Sequence, residues 1–253
     1  MIVSEEAWTR YTDLLSKVDN EATQKMLKFI ERHPIEDASD IDAWIAYAFG
    51  LSTKYGEAAA ALAAEMYDEI GALEGEYLDP AEPADTASAD EVRMTVLGVL
   101  DSVVDHAVVA MAVGRLVKRA GADTVLRNAI RDKAYYCWIP LGDTCAFCLS
   151  IAAEGWKHAY ADAMKNGHAE HIHANCNCQY AVKHKEETEY ASYHEAAYQR
   201  IYDSAEGDTK ESKLNSLRRA FYAQNKEEIN AQKRSAYQKR QELNSPEAEE
   251  VDV

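Results

Sequence analysis

Between Asp143 and His184 the chain gathers four of its five cysteines and five of its eight histidines. No other feature constrains the fold as tightly. The stretch reads Cys145-Ala-Phe-Cys148, then an insert carrying His158, His168 and His171, then His173-Ala-Asn-Cys176-Asn-Cys178. Zn²⁺ takes four tetrahedral N or S ligands, and a Cys-x-x-Cys turn supplies two thiolates to one ion because both side chains point inward. A second pair must come from elsewhere in the chain. Cys176 with Cys178 can supply it, or His173 with either cysteine. Five donors therefore compete for four positions: Cys145, Cys148, His173, Cys176 and Cys178. Cys145 and Cys148 are the firmest pair, and the other two stay open.

Free thiols with incidental histidines, or disulfides, are the competing accounts of this cluster. The opening Met1-Ile-Val-Ser-Glu-Glu has neither the basic nor the apolar segment of a secretory signal. The cysteines are thus expected in a reducing compartment, where clustered Cys and His more often hold metal than pair as disulfides. Cys137 stands apart and reads as a buried apolar cysteine.

Catalytic alternatives fit less well. Nucleobase deaminases need His-x-Glu followed by Pro-Cys-x-x-Cys; here His168-Ala-Glu170 follows Cys145 and Cys148, and no proline immediately precedes those cysteines. His171 to Asn175 hints at a His-Asn metal nuclease without the rest of the pattern. A cysteine nucleophile with His173 as base would need a lowered thiol pKa in a cleft, which nothing in the spacing demands. No phosphate-binding glycine loop occurs. A closed four-ligand site leaves no position open to substrate, so the expected zinc is structural and the chain is not expected to be an enzyme.

The flanks read as helix. Glycine (11) and proline (5) are scarce in 253 residues, which favours long helices over a sheet. Ser4 can cap a helix whose stripe runs Trp8, Tyr11, Leu15, Val18, Met26, Phe29 and Ile30, with a break at Asp19-Asn20 and an end at Pro34. Ser39 or Asp40 can cap the next, which carries Trp44, Leu51, Tyr55, Leu62, Met66 and Ile70 and is expected to kink or split at Gly50 or Gly56. Tyr77 to Ala87 is a loop. Ser88-Ala-Asp-Glu91 matches a capping box, opening a helix through Met111 that ends near Lys118-Arg119, with Gly121 in the left-handed position after it. Asp123 then caps a shorter helix to Asp132. His106 reads as a surface or satisfied core histidine. The apolar run Val96 to Val117 contains Asp101, Asp105, His106 and Arg115, too polar to cross a bilayer, so no membrane association is expected.

Beyond Lys133 the pattern changes. Ala134 to Ile139 and Gln179 to Val182 are β-prone, with a short helix from Leu149 to Gly155 between them. From Glu186 onward the chain reads as helical and polar. Lys210 to Arg240 holds nine basic residues against three acidic ones, a segment that suits DNA phosphates or a solvated helix face. Pro246 to Val253 carries four acids and is expected to be disordered. The net charge of −17 argues against polyanion binding by the molecule as a whole.

Trp138 to Trp156, with its Asp143-x-Cys145-x-x-Cys148 turn, and His168 to Cys178 together resemble tailed-bacteriophage minor capsid proteins of the MuF-like head-morphogenesis group. Arg218-Arg-Ala-Phe-Tyr222 and Ile229-Asn-Ala231 are similar to segments in versions from phages of Gram-positive bacteria. The resemblance is sharpest over residues 133–184 and 214–237. Between His173 and Asn175 this chain lacks the proline that many relatives carry, and the toxin or ADP-ribosyltransferase domain found in some relatives is not visible.

The expected fold is mainly α: a helical module (1–132), a small zinc-type Cys/His α+β domain (133–184), a basic helical extension (185–245) and an acidic tail (246–253). The resemblance implies a minor structural protein of a phage head, made in the host bacterial cytoplasm and located in the virion. Its partners would be portal, major capsid or scaffold proteins and packaged DNA through residues 210–240, and it would leave with the genome. The alternative is a cytosolic zinc-stabilised nucleic-acid-binding or regulatory protein.

Overall fold

The computed structural model describes residues 1–102, 106–141, 144–166 and 178–227, with 230, 231 and 234 besides. The chain is mostly helical with small sheets. After a short strand, β1 (Ile2–Val3), helix α1 runs from Glu5 to Arg32, and Ser4 Oγ accepts the Ala7 N–H at 3.2 Å as its cap. The break expected at Asp19-Asn20 does not occur. Asp19 lies on the buried stripe with Leu15, Ala22 and Met26 and is held there by Lys118 from another helix. Helix α2 (Ala38–Glu74) is capped by Asp37, not by Ser39 or Asp40. Asp40 supplies the reciprocal half of the box, accepting the Asp37 N–H at 3.0 Å. It passes unbroken through Gly50 and Gly56.

Helix α3 (Ala89–Ser102) opens as expected, with Ser88 Oγ accepting the Glu91 N–H at 3.3 Å. Helix α4 then runs from Ala107 to Asp132, so the expected stop after Arg119, the left-handed Gly121 and the new start at Asp123 are all wrong. Lys133 (φ 55°) occupies the left-handed cap instead. Gly121 is needed for another reason: a Cβ there would stand 3.3 Å from the Ala59 carbonyl oxygen, so its absence lets α2 and α4 approach backbone to backbone. α4 buries residues around almost its whole circumference, from Val109 to Ala129, and this is how a central helix differs from a surface one. α1 and α2 pack on it and on each other, and α3 covers α2 and α4. The Tyr77 to Ala87 loop is strapped across α4, where Thr124 Oγ1 accepts the Ala84 N–H (2.9 Å) and Asn128 Oδ1 the Glu82 N–H (3.0 Å).

The expected strands form. β2 (Tyr135–Ile139) pairs antiparallel with β4 (Gln179–Lys183), Ile139 opposite Gln179 and Tyr135 opposite Lys183, and β4 lies against α4. A two-residue β3 (Lys157–His158) pairs with β2 at its Tyr135 end. Helix α5 runs from Ala146 to Ala152, beginning three residues earlier than Leu149, and α6 (Ala163–Asn166) follows β3. The segment after Glu186 is not wholly helical: β5 (Glu189–Tyr190) pairs in parallel with β1 before α7 (Glu195–Asp203) and α8 (Lys210–Gln224). The main apolar core runs from Val3 through α1, α2, α3 and α4 into β2 and β4 and includes Cys137, Cys148 and Cys178. A smaller second core joins Ala146 and Leu149 of α5 to Leu217 of α8. No helix among the described residues is long and apolar enough to cross a membrane. The acidic tail from Pro246 lies outside them.

Candidate metal centre

Sheet register decides which candidate donors can meet. Gln179 faces Ile139, so Cys178 lies just beyond the Ile139 end of β2. Cys145 is the N-cap of α5, and its Sγ accepts the Cys148 N–H at 3.4 Å. Cys148 is wholly buried, and Cys178 nearly so. Cys145 is half-buried against the same core. α7 packs on α5, and burial pushes the Tyr198 hydroxyl up, with Cys178 and Cys137 adding to it.

The remaining histidines divide. His158 sits on β3 opposite Tyr135, and His184 follows Lys183; both are at the far end of β2. Four strand steps of ~3.4 Å put roughly 14 Å between the two ends. His158 packs on the Tyr135 ring at 3.9 Å, and His184 is engaged by Glu74; neither is on the cysteine side. Cys137 is buried in mid-strand, and burial, with Glu195 adding, holds its thiol well above the usual value. That makes it an inert thiol of the core, as expected.

Thiolates at Cys145 and Cys148, three residues apart on one helical turn, have the softness and spacing that zinc takes. Among the described residues, however, no group of three or more His, Cys, Asp or Glu side chains is placed to hold a metal ion. Cys145, Cys148 and Cys178 alone do not make one. His173 and Cys176, the other two expected donors, lie outside the described residues, as do Asp143, His168, Glu170 and His171. No disulfide joins Cys137, Cys145, Cys148 and Cys178 to one another.

Residues 2–205 match the family model described as VG15 protein. The chain belongs to the VG15 protein family. VG15 is a family of viral and phage gene products, which makes a phage origin the coarse reading of this chain. No curated protein and no solved structure matches it. The VG15 match spans every helix up to α7 and stops before α8 begins at Lys210.

Two buried polar clusters support this VG15 chain and were not anticipated. At the far end of the sheet Glu74 closes α2. Its Oε2 lies 2.6 Å from His184 Nδ1 and accepts the His184 backbone N–H at 2.8 Å, and its Oε1 accepts the Lys185 N–H at 3.3 Å. Burial pushes this carboxyl up, but the hydrogen bonds outweigh it and hold the group below its ordinary range. Tyr67 stands edge-on to the His184 ring and donates to Asp132 at 2.9 Å, which ties α2, α4 and β4 together. The second cluster is the Asp19–Lys118 pair between α1 and α4, 3.0 Å apart. A sequence signal existed for it: Asp19 falls on the same helical face as Leu15, Ala22 and Met26.

Proposed function

We propose that this VG15 protein is a minor structural component of a phage head, located in the virion beside the portal and leaving with the genome. The observation that carries this is the match of residues 2–205 to a family of phage gene products. The resemblance of Trp138 to Trp156 and of His168 to Cys178 to minor capsid proteins narrows it. In this reading the protein is not an enzyme. Its helical layer meets portal, major capsid or scaffold proteins. Cys145 and Cys148 hold a structural zinc with two of His173, Cys176 and Cys178, joining the sheet end to α5. Packaged DNA is touched through residues 210–240, where Arg218 and Arg219 are exposed on α8. Charge supports that restriction: residues 1–102 carry 22 acidic and seven basic residues, so nearly all of the net −17 lies away from this segment.

Mass spectrometry of purified particles tests the role. The protein is expected to co-purify with the head at low copy. If it stays in the particle-free lysate, the head reading fails and the cytosolic nucleic-acid-binding alternative replaces it. Metal analysis of protein purified without chelator is expected to find zinc, with Cys145→Ser lowering both zinc content and stability. No zinc together with unchanged stability overturns the metal assignment.

A further inference from the structure

The basic helix α8 is folded back against the body of the protein. Leu217 is buried against Ala146 and Leu149 of α5, and Leu214, Phe221, Tyr198, Tyr202 and Ala205 complete that seam. It is separate from the main core and far smaller, and α7 contributes no fully buried residue to it. The same docking occupies the first two cations of α8. Lys210 pairs with Glu154, just beyond α5. Lys213 lies 3.5 Å from Asp203 and 4.9 Å from the centre of the Tyr202 ring. Burial pushes the Glu154 carboxyl up, but hydrogen bonds from Lys157 and Lys210 outweigh it and hold it below the usual range. Arg218 and Arg219 remain exposed, and Arg218 donates to Asn215 Oδ1 at 3.2 Å.

We propose that docking of α8 on α5 and α7 is an autoinhibitory contact that keeps Lys210 and Lys213 from nucleic-acid phosphates, and that release of α8 converts a two-arginine face into a four-cation arm. This rests on the DNA-contact reading above and adds its regulation. Two physical points support it. A seam of three buried residues is cheap to open compared with the continuous main core, so α8 belongs to the low-stability end of the molecule. A lysine docked beside a carboxylate brings no net charge to a phosphate, whereas a released one neutralises a phosphate and displaces a counterion from DNA.

The test uses the full chain: wild type, Leu217→Asp to open the seam, and Glu154→Gln/Asp203→Asn to free the lysines with the seam intact. Amide hydrogen exchange over residues 210–224 reports docking, exchange over 107–132 serves as the folding control, and anisotropy of a labelled DNA duplex reports binding. In Leu217→Asp, α8 is expected to exchange faster while α4 stays protected. DNA binding should tighten roughly ten-fold near 0.1 M salt, with a salt slope steeper by about two. Adding Lys210→Ala/Lys213→Ala should return both to wild type. Glu154→Gln/Asp203→Asn should gain part of the affinity. If α8 is released, or its lysines freed, with no gain in affinity, autoinhibition is overturned while the wild-type DNA contact stands. If no variant and no wild type binds DNA, the DNA-contact reading itself falls.

Discussion

The Asp19–Lys118 pair gives the sharpest stability prediction. Its side chains are 8% and 7% exposed and 3.0 Å apart, inside the α1–α4 contact. At an effective dielectric near 20, the attraction is about 5–6 kcal/mol. Removing two charges from water costs several kcal/mol each, so the pair as a whole contributes little net stability. The raised pKa of Asp19 points the same way, since burial outweighs the opposing pull of Lys118. Breaking the pair is another matter. Lys118→Met leaves a carboxylate buried without its ammonium and is expected to cost about 3–5 kcal/mol, lowering Tm by roughly 10 °C in a chain of this size. Asp19→Val alone should cost a similar amount. The double variant Asp19→Val/Lys118→Met removes both charges and should return to within about 1 kcal/mol of wild type. Urea unfolding followed by the fluorescence of the buried Trp8, Trp44 and Trp138 measures all four proteins. A single variant costing less than about 1 kcal/mol, or a double variant equal to the sum of the singles, would refute this account.

Three further outcomes follow from the same contacts. Gly114→Ala should destabilise by about 1–3 kcal/mol although alanine is the better helix former, because a Cβ there would stand 2.5 Å from Asp19 Oδ1 and collide with Thr23; a stabilised variant would show that α1 and α4 can part freely. Tyr67→Phe should cost about 1–2 kcal/mol by leaving Asp132 short of a donor, read as a shift of the urea midpoint without a change in slope; an unshifted midpoint would mean that the hydroxyl is not bonded. Glu91 is held low by its hydrogen bonds to Arg119, and in Glu74 and Asp132 hydrogen bonding outweighs the upward push of burial. Each folded pKa lies below its unfolded value, so this stabilisation is complete above about pH 4.5 and is lost as pH falls through the folded values. The urea midpoint should therefore drop below about pH 4.5, and a midpoint that rises on acidification would contradict the assigned directions.

What could be read from the sequence was local. Ser4, the Ser88 box and the loop from Tyr77 are decided by neighbouring residues, and all three hold. The β-prone stretches at Tyr135 and Gln179 also hold, because aromatic and branched side chains suit a half-buried sheet in almost any fold. The failures share a cause. Gly121 carries the same local signal whether it ends a helix or admits a neighbour, and the Ala59 carbonyl, far away in sequence, decides the matter. Asp19-Asn20 looks like a break until Lys118 is placed opposite it. β5 exists because β1 pairs with it, and nothing near Glu189 announces that. At the cysteine end, spacing identified Cys145 and Cys148 as a pair on one turn. The register that sets Cys178 at the Ile139 end of β2 and His158 at the Tyr135 end is a pairing between distant segments. A two-residue strand leaves too little pattern to read at all.

The β1–β5 ladder also sets the order in which the chain can complete itself on the ribosome. Ile2 and Val3 pair with Glu189 and Tyr190, and the Met1 ammonium reaches the Glu187 carbonyl across 186 positions of sequence. The Trp8 and Tyr190 rings meet edge to face, their centroids 5.3 Å apart. At ~5–20 residues per second, on the order of ten to forty seconds separate synthesis of the first strand from that of its partner. Through that interval the helices can assemble around α4, but Ile2 and Val3 have no strand partner. β1 is thus among the last parts to be fastened, and a nascent chain halted before Tyr190 should expose Trp8 to solvent quenchers while Trp44 is already shielded.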